Sequence, residues 1–149
     1  TALGQHSFAD DCQIKLPVSA QWELTEMNAT GQRSDLDDRK KFQHGFPFKE
    51  AHFDNVFTNL SYQDTEAESE IVDEAAATSV KIRFDDGFRE LVVYTPPHRE
   101  AICIEPYTCV PDAFRLERDG IQDTGGRLLA PGETFTARVE MVVQNASKN

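Results

Sequence analysis

The run Ile102-Cys103-Ile104-Glu105-Pro106-Tyr107-Thr108 places a carboxylate at the end of an apolar stretch and directly before a proline. In an extended chain successive side chains alternate between faces, so Ile102 and Ile104 share one face and Cys103 and Glu105 the other. Loss of water at an apolar strand end disfavours a charged carboxylate and raises its basicity, which suits a general base. His6, within Leu3-Gly4-Gln5-His6-Ser7-Phe8, titrates near neutral pH and can donate a proton. Asp54, within Phe53-Asp54-Asn55-Val56-Phe57, sets an acceptor among aromatic rings. That combination suits a sugar, whose hydroxyls donate to a carboxylate while rings cover its C–H faces. Each residue also has an ordinary reading: a strand-end glutamate in water, a surface histidine, a turn aspartate. His44, His52 and His98 lack the spacing of a metal site and read as structural or surface residues, so no metal is expected. No Gly-rich phosphate loop, G-x-S-x-G or H-E-x-x-H occurs. Cys12, Cys103 and Cys109 are odd in number and form no C-x-x-C pair, so they read as buried or partly buried thiols.

The elements that must position these residues carry a period of two. Val80-Lys81-Ile82-Arg83-Phe84 alternates strictly, and Phe135, Ala137, Val139, Met141 and Val143 share one face of a segment from Thr134 to Val143. Both read as strands with one buried face. Ile14-Lys15-Leu16 and Trp22-Glu23-Leu24 are shorter versions, while 88–94 and 101–104 read as central strands. Asp85-Asp86-Gly87 is a hairpin signal, and Pro96-Pro97 and Pro131-Gly132 punctuate the chain. The acidic stretch from Glu66 to Ala77 reads as a short helix or a solvated loop or edge, and 32–55 shows no clear strand. The expected fold is all-β, an antiparallel β-sandwich forming a single domain over 1–149.

The bulk properties narrow the partners. The chain has 149 residues, a net charge of −11 and an isoelectric point near 4.7. A surface this acidic repels nucleic acid and anionic lipid, but it tolerates a neutral ligand. No apolar run approaches the roughly 18 residues of a membrane helix. Thr1 opens the chain with no basic and apolar leader, so a cytoplasmic protein, trimmed or cut from something longer, is expected.

Several motifs, in order, resemble the C-terminal half of aldose 1-epimerases, the galactose mutarotase-like family. Leu91-Val92-Val93-Tyr94-Thr95-Pro96, then Ile104-Glu105-Pro106-Tyr107 and Pro111-Asp112-Ala113, are similar to the family's strand ending in "EP" followed by "PDA". Leu128-Leu129-Ala130-Pro131-Gly132-Glu133 is similar to its "L-x-P-G-E" entry into the last strand. Phe53-Asp54-Asn55-Val56-Phe57 resembles its "D-x-x-F" segment, and Gly4-Gln5-His6-Ser7-Phe8 its "G-x-H-P-Y/W-F" motif, with Ser-Phe-Ala standing where the family has Pro and two aromatics. The resemblance implies part of a galactose mutarotase-like supersandwich. It implies Glu105 as the base that takes the C1 hydroxyl proton, His6 as the acid that protonates the ring oxygen, and Asp54 as the holder of sugar hydroxyls.

The implied reaction interconverts the α and β anomers of a free aldohexose by ring opening and reclosure, without a cofactor. The family domain is about twice this long by that resemblance, and its N-terminal half supplies an arginine and a further histidine. A missing N-terminal half or a second chain is therefore expected to complete the sandwich. Two other readings compete: a carbohydrate-binding sandwich without turnover, and a hexose-6-phosphate mutarotase that uses Arg39-Lys40-Lys41.

Overall fold

A computed structural model describes residues 8–145. Its strands are β1 (Gln13–Lys15), β2 (Ala20–Thr25), β3 (Asn28–Asp35), β4 (Phe46–Pro47), β5 (Asp54–Thr58), β6 (Glu66–Asp73), β7 (Thr78–Asp85), β8 (Glu90–Tyr94), β9 (Cys103–Tyr107) and β10 (Val139–Asn145). Two short helices, α1 (Arg39–His44) and α2 (Ala113–Arg118), interrupt them. The strands form two antiparallel sheets of five, in the orders β10-β7-β6-β1-β4 and β3-β2-β5-β8-β9. They are called sheet A and sheet B below. No helix among the described residues is long and apolar enough to cross a membrane.

Period-two patterning explains sheet A. Ala67 and Ser69 on β6, and Ile82 and Phe84 on β7, point inward and are buried. Their neighbours point outward as a ladder of charge. Lys15 pairs with Glu70, Glu68 with both Lys81 and Arg83, and Glu66 with Arg138. Each exposed pair stabilises by about 1 kcal/mol or less, but together they fix register, because a one-residue slip would put like charges face to face. The acidic stretch expected as a short helix or a solvated loop or edge is thus mostly strand β6, its carboxylates paired with Lys15 on β1, Lys81 and Arg83 on β7, and Arg138 before β10.

The core lies between the sheets. Ile14, Leu16 and Phe84 from sheet A meet Phe57, Leu91 and Val93 from sheet B. Phe42, Phe46, Phe53 and Phe57 form a ring cluster with centroid separations of 5.2–5.9 Å. Phe42 and Phe46 come from the region that shows no strand in the sequence. There α1 starts at Asp38, whose side chain accepts from the Lys41 backbone N–H at 3.2 Å, and β4 follows against β1.

Three sequence expectations fail for tertiary reasons. Asp85-Asp86-Gly87 does not close a hairpin: β7 pairs with β6 and β10, while β8 pairs with β5 and β9, so this turn carries the chain between sheets. The last strand begins at Val139 rather than Thr134. Phe135 packs against the Gly87 turn and under the Arg127 guanidinium, and the Arg138 N–H donates to the Asp85 carboxylate at 2.7 Å instead of to a ladder. The expected buried face of β10 is also open. Val139, Met141 and Val143 stand opposite Phe84, Ile82 and Val80 on the inward face, yet Met141 is 69% and Val143 65% exposed. Sheet B does not extend over them.

Candidate functional site

Strand register brings Asp54 and Glu105 to one face of sheet B. Asp54 pairs with Tyr94, and Tyr94 with Cys103. The next row on that face is Val56, Val92 and Glu105. Alternation therefore sets Asp54, Val56, Val92, Tyr94, Cys103 and Glu105 on the side turned away from sheet A. Burial agrees. Val56 and Val92 pack with Trp22, Val110 and Leu116 in a second apolar cluster, whereas Phe57, Leu91 and Val93 enter the core between the sheets. Two strand spacings across and two residues along separate the Asp54 and Glu105 backbones by roughly 12 Å. Both side chains are exposed.

One end of this face is closed and the other is open. At the closed end Val110, Ala113 and Leu116, at and before α2, seat on Trp22. Arg115 fixes α2 by donating to the Ala29 carbonyl at 2.7 Å and by pairing with Asp112. Asp112, from the Pro-Asp-Ala motif, has φ 64°, a left-handed turn that starts the helix. That motif therefore builds the wall of the site. Arg33 stacks over Trp22 at 4.0 Å and donates to the carbonyls of Gln122 and Asp123 at 2.7 and 3.0 Å, which pins the following loop.

At the open end, Thr95 binds the Phe53 backbone, accepting its N–H at 2.7 Å, and so fixes the start of β5 beside Asp54. Arg99, in the loop joining β8 and β9, donates to the carbonyls of Phe48 and Ala51 at 2.5 and 2.6 Å and pairs with Asp10 at 3.0 Å. The segment that follows His6 is thereby tethered to the loop at the Tyr94 and Cys103 end of the face. His6 itself lies outside the described residues.

Two expectations about surroundings are corrected. Phe53 and Phe57 do not flank Asp54 as sugar-facing rings: both are buried on the core side. The half-exposed aromatics on the Asp54 face are Tyr94 and Tyr107, one on either side of the Val92 and Glu105 row. Nor is Glu105 desolvated among the described residues.

A carboxyl that is buried on that same face is Glu90, which pairs with Tyr107 and is only 1% exposed. Burial pushes its pKa up to about 7, against the opposing pull of the Thr58 hydroxyl, the Trp22 indole N–H and the charges of Arg33 and Arg89. Neither Glu90 Oε2 nor Trp22 Nε1 completes a hydrogen bond of ordinary geometry. Sequence reasoning passed over Glu90 because it opens an apolar strand, and its burial comes from residues on other strands. Tyr107 offered a local signal, since it stands two residues from Glu105 and strand alternation turns both to one side. Its hydroxyl donates to Glu105 Oε2 at 3.2 Å.

Other parts of the surface compete poorly. A concavity of about 980 Å³ lies over the charge ladder of sheet A, lined by Lys15, Gln63, Glu66, Glu70 and Arg83. Its lining carries four carboxylates, Asp64, Glu66, Glu68 and Glu70, against Lys15 and Arg83, and it includes neither Asp54 nor Glu105. The basic cluster Arg39-Lys40-Lys41 sits on and beside sheet A, where α1 packs on β1 and β4 and Lys41 pairs with Glu50 at 2.5 Å.

Comparison with known proteins places this arrangement in context. The family model for aldose 1-epimerase matches residues 2–142. The crystal structure of a galactose mutarotase-like protein from Clostridium acetobutylicum superposes with a TM-score of 0.80 at 18% sequence identity. The match covers 95% of this chain and 44% of that one, so the chain spans less than half the length of the solved relative. No curated protein matches.

Proposed function

Because the chain belongs to the aldose 1-epimerase family, we propose that it interconverts the α and β anomers of a free aldohexose. In this reading Glu105 takes the proton from the C1 hydroxyl, and His6 gives one to the ring oxygen as the C1–O bond breaks. The open-chain aldehyde rotates about C1–C2. Reclosure from its other face returns both protons and inverts the anomer. Asp54 accepts hydrogen bonds from sugar hydroxyls. Each proton-transfer group contributes about 10²–10⁴-fold.

The observation that carries the proposal is the shared open face. Two exposed carboxylates stand across β8 from one another, with Tyr94 and Tyr107 as half-exposed rings beside them. The role of His6 rests on the resemblance of Gly4-Gln5-His6-Ser7-Phe8 to the family motif, since His6 lies outside the described residues. The open apolar side of β10 and the 44% coverage of the solved relative support a second part of the reading: further strands, from the same polypeptide or another, complete the sandwich and the sugar site.

Polarimetry of freshly dissolved α-D-glucose or α-D-galactose with the intact protein tests this function. Acceleration over the spontaneous rate is expected. Saturable sugar binding at the background rate would instead make the protein a passive carbohydrate-binding sandwich. A selective gain with glucose 6-phosphate would favour the phosphosugar reading, although Arg33 and Arg115 on the face of Glu105 are already bound to backbone carbonyls.

A further inference from the structure

We infer that Tyr107 is the positioning residue for Glu105, holding one oxygen of its carboxylate so that the other is presented to the sugar. The inference rests on the reading of Glu105 as the base. Glu105 and Tyr107 are two residues apart on β9 and project from the same face of sheet B, where the phenol donates to Oε2 at 3.2 Å. The glutamate is otherwise exposed on an open strand, and a free glutamate loses rotamer freedom each time it must adopt one reactive geometry. Tyr107 removes part of that cost in advance, which is the physical content of pre-organisation.

The tyrosine is itself fixed. Its Cα stands opposite Glu90, and its carbonyl accepts from the Arg89 N–H at 2.8 Å. The loop residue Gly125 packs directly on the backbone of the next two residues, Thr108 and Cys109. The backbone of Tyr107 is therefore braced at a strand end, and its phenol is the side-chain donor that reaches Glu105. Burial raises the pKa of the Tyr107 phenol, and its bond to the Glu105 carboxylate raises it further.

Two measurements on the intact protein test the role. Tyr107→Phe should lower kcat about tenfold, the worth of one hydrogen bond to a charged group, with KM changed less than about twofold. A rise in KM with kcat unchanged would make Tyr107 a sugar contact and overturn the inference. The second readout does not depend on activity. Ultraviolet titration of tyrosinate should lose its Tyr107 transition in Tyr107→Phe, and the same transition should move to lower pH in Glu105→Gln. A transition at the same pH with and without the carboxylate would show that the two side chains do not interact, and would also overturn the inference. Full anomerisation by Glu105→Gln would remove the base itself, and this role with it, whatever the titration shows.

Discussion

Asp54 and Glu105 are set across β8 from one another on the outward face of sheet B: Asp54 pairs with Tyr94, and Glu105 pairs with Val92, two residues away on the same strand. Their separation is fixed by backbone ladders, so it does not depend on how either side chain rotates. Under the proposed function Asp54 binds and Glu105 reacts, and substitutions at the two should differ in kind. Asp54→Ala should raise KM for the sugar by about 10–100-fold, the loss of one or two hydrogen bonds to a charged acceptor. Steady-state kinetics would show it, and an unchanged KM would remove Asp54 from the sugar site.

Glu90 makes stability depend on pH in an uncommon direction. Its carboxyl has an ordinary value of 4.5 in the unfolded chain and about 7 when folded. Between those values the folded state binds a proton that the unfolded state has lost, so stability falls as pH rises. It is full below about pH 4.5 and has lost its Glu90 contribution above about pH 7, a change of about 3 kcal/mol. Urea unfolding at pH 5 and pH 8 should show this loss, and Glu90→Gln should flatten it. A Glu90→Gln variant with the same pH dependence as the parent would contradict the assignment.

Gly125 has φ +77°, and a Cβ there would lie 2.5 Å from the Thr108 carbonyl oxygen and 2.9 Å from the Cys109 Cα. Both contacts are with backbone, so no side chain can swing aside. Gly125→Ala should cost at least about 2 kcal/mol from the left-handed backbone and the forced shift of the segment after Tyr107. Thermal unfolding checks the loss. A neutral result would mean that this loop is not braced against β9.

The open side of β10 yields a test of whether further strands cover it. Met141→Lys on the isolated 149-residue chain should suppress self-association with little loss of stability, because Met141 is already 69% exposed. In a complete sandwich the same change buries a charge and should cost several kcal/mol. Sedimentation and denaturant unfolding on both forms would separate the cases. Equal tolerance in both would mean that no layer covers β10.

How much of this was legible in the sequence depended on where each signal came from. Strand β7 could be read because Val80, Ile82 and Phe84 alternate with Lys81 and Arg83 within five residues. Strand β6 could not, because its inward residues Ala67 and Ser69 are small and the cations that pair with its glutamates lie on other segments, at Lys15, Lys81, Arg83 and Arg138. The Asp85-Asp86-Gly87 turn looked like a hairpin, since turn chemistry specifies a reversal and not which sheet receives the next strand. The face of Glu105 was recoverable from alternation, whereas the rings next to Asp54 in sequence, Phe53 and Phe57, turn into the core and not toward its side chain. The buried state of Glu90 was not recoverable, because Trp22, Thr58 and Arg33 approach it from other strands. The period of β10 revealed its apolar face but carried nothing about what covers that face.

Glu105 is the point at which the whole account can be broken. The rate of anomer interconversion by the intact protein, followed by polarimetry at saturating sugar, should fall at least about 10²-fold on Glu105→Gln while sugar affinity is largely kept. An unmutated rate in the glutamine variant would show that the proton leaves the C1 hydroxyl by another route.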